Sequence, residues 1–214
     1  MKPQEAKDEI RKYSRGELRD FWAFIRDREK DQIPNPGFRN HQVVPDKDPP
    51  RWDGGQAFEF MMLRFFELDG AEVTYPYGPI VGLDGLTQET DGFIYTDKLR
   101  CLVESKDWSS PVKFSTVAKL KDRLLHRNSQ LIGCIFCSRS GFSTSALTAA
   151  FLEQTRYNIL LWGRDEIDFV VKSPRSNFVE ALHTKYRYSL EKLIPYFDTS
   201  AGQEPPASNL ILNS

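Results

Sequence analysis

The chain has 214 residues, with 29 Lys and Arg against 30 Asp and Glu, a net charge of −1 and 40% hydrophobic residues. That balance predicts one large domain with appendages and excludes a polycation, so nucleic-acid affinity must come from a local patch. Three cysteines, Cys101, Cys134 and Cys137, are too few for a disulfide framework, and no run is long and apolar enough for a bilayer, which together predict a cytoplasmic chain with no membrane contact.

Residues 1–31 are dense in charge around Phe21-Trp22-Ala23-Phe24-Ile25 and predict one or two surface helices with an apolar stripe. Ser14 and Glu17 have the spacing of a capping box, which places a second helix start there. Prolines 34, 36, 45, 49 and 50 mark residues 32–55 as a wrapping loop or linker, with the core beginning near Trp52. Phe58, Met61, Met62, Phe65, Phe66 and Leu68 recur at helical spacing over 54–69, and Gly70 stops that helix. A first strand over 71–76 and a polar connection over 79–90 follow. Two strands, Gly92-Phe93-Ile94-Tyr95 and the run opening Arg100-Cys101-Leu102-Val103, form a hairpin about the turn 96–98. A basic amphipathic helix is predicted over 112–127. Leu131–Ser138 reads as a strand buried on both faces, Thr144–Thr155 as a helix and Asn158–Trp162 as a short strand. Residues 164–171 read as a short helix or turn, 175–193 as a last amphipathic helix, and the stretch after Asp198 as a disordered tail. Cys134 and Cys137 form a lone C-x-x-C, read as buried strand cysteines rather than a metal or redox motif.

The chemistry concentrates between Asp91 and Lys106. Side chains alternate along a strand, so Glu104 and Lys106 share one face while Ser105 points away. The hairpin brings Asp91 beside Glu104. Mg²⁺ is held by one or two carboxylates plus water and substrate phosphate, and such an ion both neutralises a scissile phosphate and activates water. Asp91 and Glu104 are the candidate carboxylates, and the main-chain carbonyl of Ser105 is a candidate third ligand. Lys106 is placed to orient or deprotonate the water, or to stabilise the pentavalent phosphate, with burial and the metal expected to lower its pKa. The same spacing also describes a plain hairpin with an exposed ion pair. Asp84, in a Gly-bearing segment, competes with Asp91 but does not open a strand. His41, His126 and His183 lack ligand-like neighbours.

The basic helix carries Lys113, Lys119, Lys121, Arg123, His126 and Arg127 against Asp122. Lys119, Arg123 and Arg127 fall at i, i+4 and i+8 on one stripe. Beside a metal site that stripe suits contacts to a phosphate backbone; alone, it is a solvated face. Trp108 is a candidate for stacking on a base or sugar, or for packing.

Asp91, followed after an apolar strand by Glu104-Ser105-Lys106, resembles the motif of the PD-(D/E)xK nuclease superfamily. The surroundings are similar to its Mrr-like, type IV restriction endonuclease-like branch. The matching stretches are Gly55-Gln56-Ala57-Phe58-Glu59, Thr90-Asp91-Gly92-Phe93-Ile94, Val103-Glu104-Ser105-Lys106, the run CIFCSRSGFSTSA from Cys134 to Ala146, and Ile159-Leu160-Leu161-Trp162-Gly163. Thr90 stands where the superfamily name has Pro, and Glu104 where the branch is usually written with Gln. The resemblance implies an α/β, restriction-endonuclease-like core: a mixed central sheet flanked by helices, here with an N-terminal helical extension. It places the Glu59 carboxylate in the site, with Glu67 two turns on as a competitor, and turns Arg139 toward the cleft.

The organisation expected is an N-terminal helical extension and Pro-rich wrap over 1–51, a nuclease-like domain over 52–197 and a tail over 198–214. The activity expected is Mg²⁺- or Mn²⁺-dependent endonucleolytic hydrolysis of DNA in a prokaryotic defence setting. An RNase or single-strand nuclease with the same site, and a non-catalytic scaffold that binds nucleic acid or protein, are the alternatives. The aromatic cluster Phe21-Trp22-Phe24 is expected to dock a partner subunit or a second copy.

Overall fold

The computed structural model describes residues 3–27, 51–76, 90–127, 130–153 and 156–192, together with short strand segments at 32–34, 38–39, 42–43, 80–81 and 87–88. Two helices come first, α1 (Pro3–Ile10) and α2 (Arg15–Asp27). The capping box forms: Ser14 N–H donates to Glu17 Oε2 at 2.7 Å, and Glu17 N–H reaches Ser14 Oγ at 3.4 Å. Short strands β1 (Gln32–Pro34), β2 (Phe38–Arg39), β3 (Gln42–Val43) and β4 (Arg51–Asp53) follow. β1 pairs antiparallel with β4, and β2 with β3, within the stretch expected to be loop.

The long apolar helix is α3 (Gly54–Leu68). It ends at Gly70, whose φ of +96° lets Ala71 N–H turn back to the Phe66 carbonyl at 2.9 Å. Then come β5 (Glu72–Thr74), a small antiparallel pair β6 (Ile80–Val81) and β7 (Thr87–Gln88), and the hairpin β8 (Gly92–Tyr95) and β9 (Arg100–Lys106). The remaining elements are α4 (Phe114–Leu125), β10 (Leu131–Cys137), α5 (Thr144–Glu153), β11 (Ile159–Trp162), α6 (Arg164–Lys172) and α7 (Phe178–Lys192). Residues 164–172 are thus a full helix. The tail after Asp198 and the competitor Asp84 lie outside the described residues.

The main sheet has five strands in the order β11-β10-β9-β8-β5. β10 runs parallel to both β9 and β11, whereas β8 is antiparallel to β9 and β5, so the sheet is mixed. Strand alternation divides its side chains between two cores. Cys101, Val103, Ile132, Cys134, Phe136, Leu160 and Trp162 pack toward α1, α2, α3, α6 and α7. Leu102, Ile135, Cys137, Ile159 and Leu161 pack toward α4 and α5. Cys134 and Cys137 therefore belong to opposite faces, which rules out joint metal binding by the C-x-x-C.

The N-terminal helices correct one expectation. Phe21 and Trp22 are buried in the larger core, and only Phe24, 38% exposed, looks outward. Trp22 Nε1 donates to Asp168 of α6 at 3.0 Å, and Arg26 pairs with the same carboxylate at 2.6 Å. The aromatic cluster closes the chain's own core and is not a free docking surface, because burying it against α3 and α6 removes more apolar area from water than an exposed stripe would.

Candidate active site

The site forms where β8 stops short of β9. The last pair of the hairpin is Gly92 with Val103. Beyond it β9 continues through Glu104, Ser105 and Lys106, and the chain entering β8 turns away. Gly92 makes that turn: its φ is +141°, and a Cβ there would lie 2.7 Å from both a Leu63 methyl and the Thr74 carbonyl oxygen. Only glycine fits, and it delivers Asp91 across the open end of β9.

Asp91 takes the place of a missing strand. Its Oδ2 accepts the Ser105 N–H at 2.6 Å, a backbone donor that β8 no longer pairs. Glu104 and Lys106 point to the α4 face, the side on which Leu102 packs. Lys106 Nζ lies 2.7 Å from Glu104 Oε1 and 3.7 Å from Asp91 Oδ2, and donates to the Ser105 carbonyl at 2.9 Å. The other Glu104 oxygen, Oε2, is held by Arg123 of α4. The Trp108 ring, 44% exposed, covers the ammonium at 5.5 Å.

Burial pushes the Asp91 carboxyl up to about 6, and the neighbouring Glu104 charge adds to that. Lys106, the Ser105 N–H and Arg123 act in the opposite sense. For Lys106, burial works to lower the pKa, but the carboxylates of Asp91, Glu104 and Glu59 outweigh it and hold the group above its ordinary value. The carboxylates alone hold the group up; the lowered value expected from sequence belongs to a site with a metal beside the ammonium. Glu59, on the first turns of α3, thus reaches the site through its charge on Lys106.

The donors suit a hard divalent cation. Asp91 Oδ2, Glu104 Oε1 and the Ser105 carbonyl all converge on one positive charge, the Lys106 ammonium, which stands where a metal would find oxygen ligands. Among the described residues no group of three or more His, Cys, Asp and Glu side chains is gathered for a metal. Two carboxylates and one carbonyl nevertheless match an ion that keeps waters and takes the rest of its shell from phosphate.

The basic stripe divides. Lys113 and Lys119 are exposed. Arg123 turns inward to Glu104, and Arg127 lies 5.2 Å over the Phe93 ring. Lys121 ties α4 to α5 through Glu153 at 2.6 Å. Arg139 is drawn to the end of β9, where its Nε is 3.4 Å from Asp107 Oδ1 and its guanidinium donates to the Asp107 carbonyl at 3.2 Å. Ser138 Oγ donates to the same buried carboxylate. The Arg123–Glu104 bond and the Asp107–Ser138–Arg139 node were not read from sequence. Their partners are 19 and about 30 positions apart; the packing of α4 on the sheet brings the first pair together, and the pairing of β9 with β10 the second.

The restriction endonuclease family model Mrr_cat matches residues 52–170, over half of the chain and across every element that builds this site. The chain belongs to the restriction endonuclease family. No curated protein sequence matches it significantly. The fold is shared with the small subunit of the heterodimeric restriction endonuclease R.BspD6I, at 10% identity and a TM-score of 0.50, covering 83% of this chain and 88% of that one. A protein of unknown function, AF1548, aligns at 20% identity and a TM-score of 0.40 over 58% of this chain; the alignment spans 63% of that protein's length. In this family member no helix among the described residues is long and apolar enough to cross a membrane.

Proposed function

We propose that this chain is an endonuclease that hydrolyses DNA phosphodiester bonds with Mg²⁺ or Mn²⁺ bound by Asp91, Glu104 and the Ser105 carbonyl. The observation that carries the reading is the convergence of those three oxygens on one cationic position at the open end of β9. When bound, the ion supplies Lewis-acid polarisation of the phosphate and a water of lowered pKa. Lys106, held as an ammonium by the surrounding carboxylates, is an electrostatic stabiliser of the charge that builds on the phosphoryl oxygens. Glu59 contributes by sustaining the ammonium charge. Lys113 and Lys119 supply solvent-facing contacts to the phosphate backbone, which give affinity without reading sequence. Arg127, over the Phe93 ring, and Arg139, at the end of β9, are further candidates for contacts to the backbone.

One site cuts one strand. A double-strand break therefore calls for a second copy of this chain or a partner subunit, in a prokaryotic defence system that acts on foreign DNA in the cytoplasm. The test uses end-labelled duplex DNA, single-stranded DNA and RNA, each with Mg²⁺, Mn²⁺ or EDTA. Metal-dependent internal cutting of the duplex is expected. Cutting of RNA alone would replace the substrate in this reading, and binding without cutting of any polymer would make the chain a scaffold.

A further inference from the structure

Glu104 has two carboxylate oxygens, and both are taken by cations of this chain. Lys106 holds Oε1 at 2.7 Å and Arg123 holds Oε2. The side chains are sheltered, at 8% exposure for Glu104 and 21% for Arg123, so the pair is weakly screened by solvent. Lys106 and Arg123 together bring two positive charges to the carboxylates of Asp91, Glu104 and Glu59. A divalent ion entering this set doubles the positive charge beside Glu104. One resident cation must then lose its hold or face a like charge at close range.

Arg123 is the one with somewhere to go. Lys106 lies two residues from Glu104 on the same strand, so it stays beside the carboxylate even when an ion takes the oxygens that it now holds. Arg123 comes from a different element, α4, and shares a helix face with the exposed Lys119 one turn before it. A guanidinium leaving Glu104 stays beside the surface proposed to carry the phosphate backbone, and its planar fork matches a phosphate as well as a carboxylate.

We propose that Arg123 is a metal-gated latch: it holds Glu104 while the site lacks a divalent ion, and transfers to a DNA phosphate once an ion competes for that carboxylate. The latch rests on the reading of Asp91 and Glu104 as a metal seat. It couples the two ligands: metal frees the guanidinium for DNA, and DNA, by drawing the guanidinium off, favours metal to the same degree. An Arg123 that only braced Glu104 for the metal would have the opposite sign.

The test measures Mn²⁺ affinity by titration calorimetry in the absence of DNA for wild type, Arg123→Gln, Arg123→Lys and Asp91→Asn. Anisotropy of a labelled duplex in Ca²⁺ and in EDTA reports DNA affinity. The latch predicts that Arg123→Gln binds Mn²⁺ about tenfold tighter than wild type, and that the gain in DNA affinity on adding Ca²⁺ shrinks in this variant. Arg123→Lys, which keeps the charge but loses the fork, should fall between the two, and it carries the test if Arg123→Gln does not fold. Equal or weaker Mn²⁺ binding by the Arg123 variants, with binding by wild type intact and lost in Asp91→Asn, overturns the latch alone. No Mn²⁺ binding by wild type or by any variant overturns the metal seat and the latch with it.

Discussion

Lys106 and Glu104 stand two residues apart on one strand, on one face, with the ammonium 2.7 Å from the carboxylate. The ammonium sits among the oxygens that a divalent ion would use. Removing it with Lys106→Met should leave those oxygens in place and take away the charge proposed to stabilise a reacting phosphate. We expect Mn²⁺ binding to survive and cleavage to fall by roughly two to three orders of magnitude, the usual cost of one such group. Calorimetry and a cleavage time course check the two halves. Unchanged cleavage would remove Lys106 from the mechanism.

The Asp91 carboxyl, pushed from its ordinary 3.8 up to about 6, gives the protein a pH signature. The folded chain holds this proton more tightly than the unfolded chain, so the group's contribution to stability is full below its ordinary pKa and is lost as pH rises through about 6. A metal needs the ionised form and must compete with the proton below about 6. The rise in Tm caused by Mg²⁺ should therefore be small at pH 5 and grow toward pH 7, and Asp91→Asn should abolish the trend. A metal-induced shift that is flat across this range would contradict the assignment.

Gly92→Ala tests how the backbone builds the site. The added methyl meets the Thr74 carbonyl and Leu63 at a φ that side chains rarely adopt. A cost of about 1–3 kcal/mol in unfolding free energy is expected, with Asp91 pulled off the Ser105 N–H and metal affinity reduced. Denaturant melts and Mn²⁺ titration measure both. Wild-type stability together with wild-type affinity would show that the turn tolerates a side chain.

The fold was legible in the sequence where the pattern was local. The 3.6-residue recurrence from Phe58 to Leu68 gives α3, and the unbroken apolar run of β10 gives a strand covered on both faces. The shared face of Glu104 and Lys106 was legible too, because the alternation that pairs them is intrinsic to a strand. What eluded it depends on tertiary contact. Helical periodicity places Arg123 on a stripe, but the packing of α4 on β9 and β10 decides that the stripe's middle member turns inward. The apolar Phe21 and Trp22 could equally have met a partner; only the presence of α3 and α6 beside them settles that they are core.

A buried ion pair away from the site separates stability from function. Lys185 of α7 pairs with Glu166 of α6 at 2.6 Å, both essentially inaccessible, with the ammonium 5.0 Å over the Trp162 ring. Lys185→Met leaves a buried carboxylate behind and should cost about 3–5 kcal/mol, whereas the double change with Glu166→Leu should recover most of it. Cleavage per folded molecule in the double variant should match wild type. Chemical denaturation and an active-fraction-corrected rate decide, and a double variant as unstable as the single one would refute the pairing argument.

The central claim is that Asp91 and Glu104 form a metal-dependent DNA-cutting site. Its most direct test is nicking and linearisation of supercoiled plasmid by wild type, Asp91→Asn and Glu104→Gln, with Mg²⁺ and with EDTA. We predict cutting by wild type in Mg²⁺ that stops in EDTA and is lost in both variants. Cutting that persists in either variant, or in EDTA, would contradict the account.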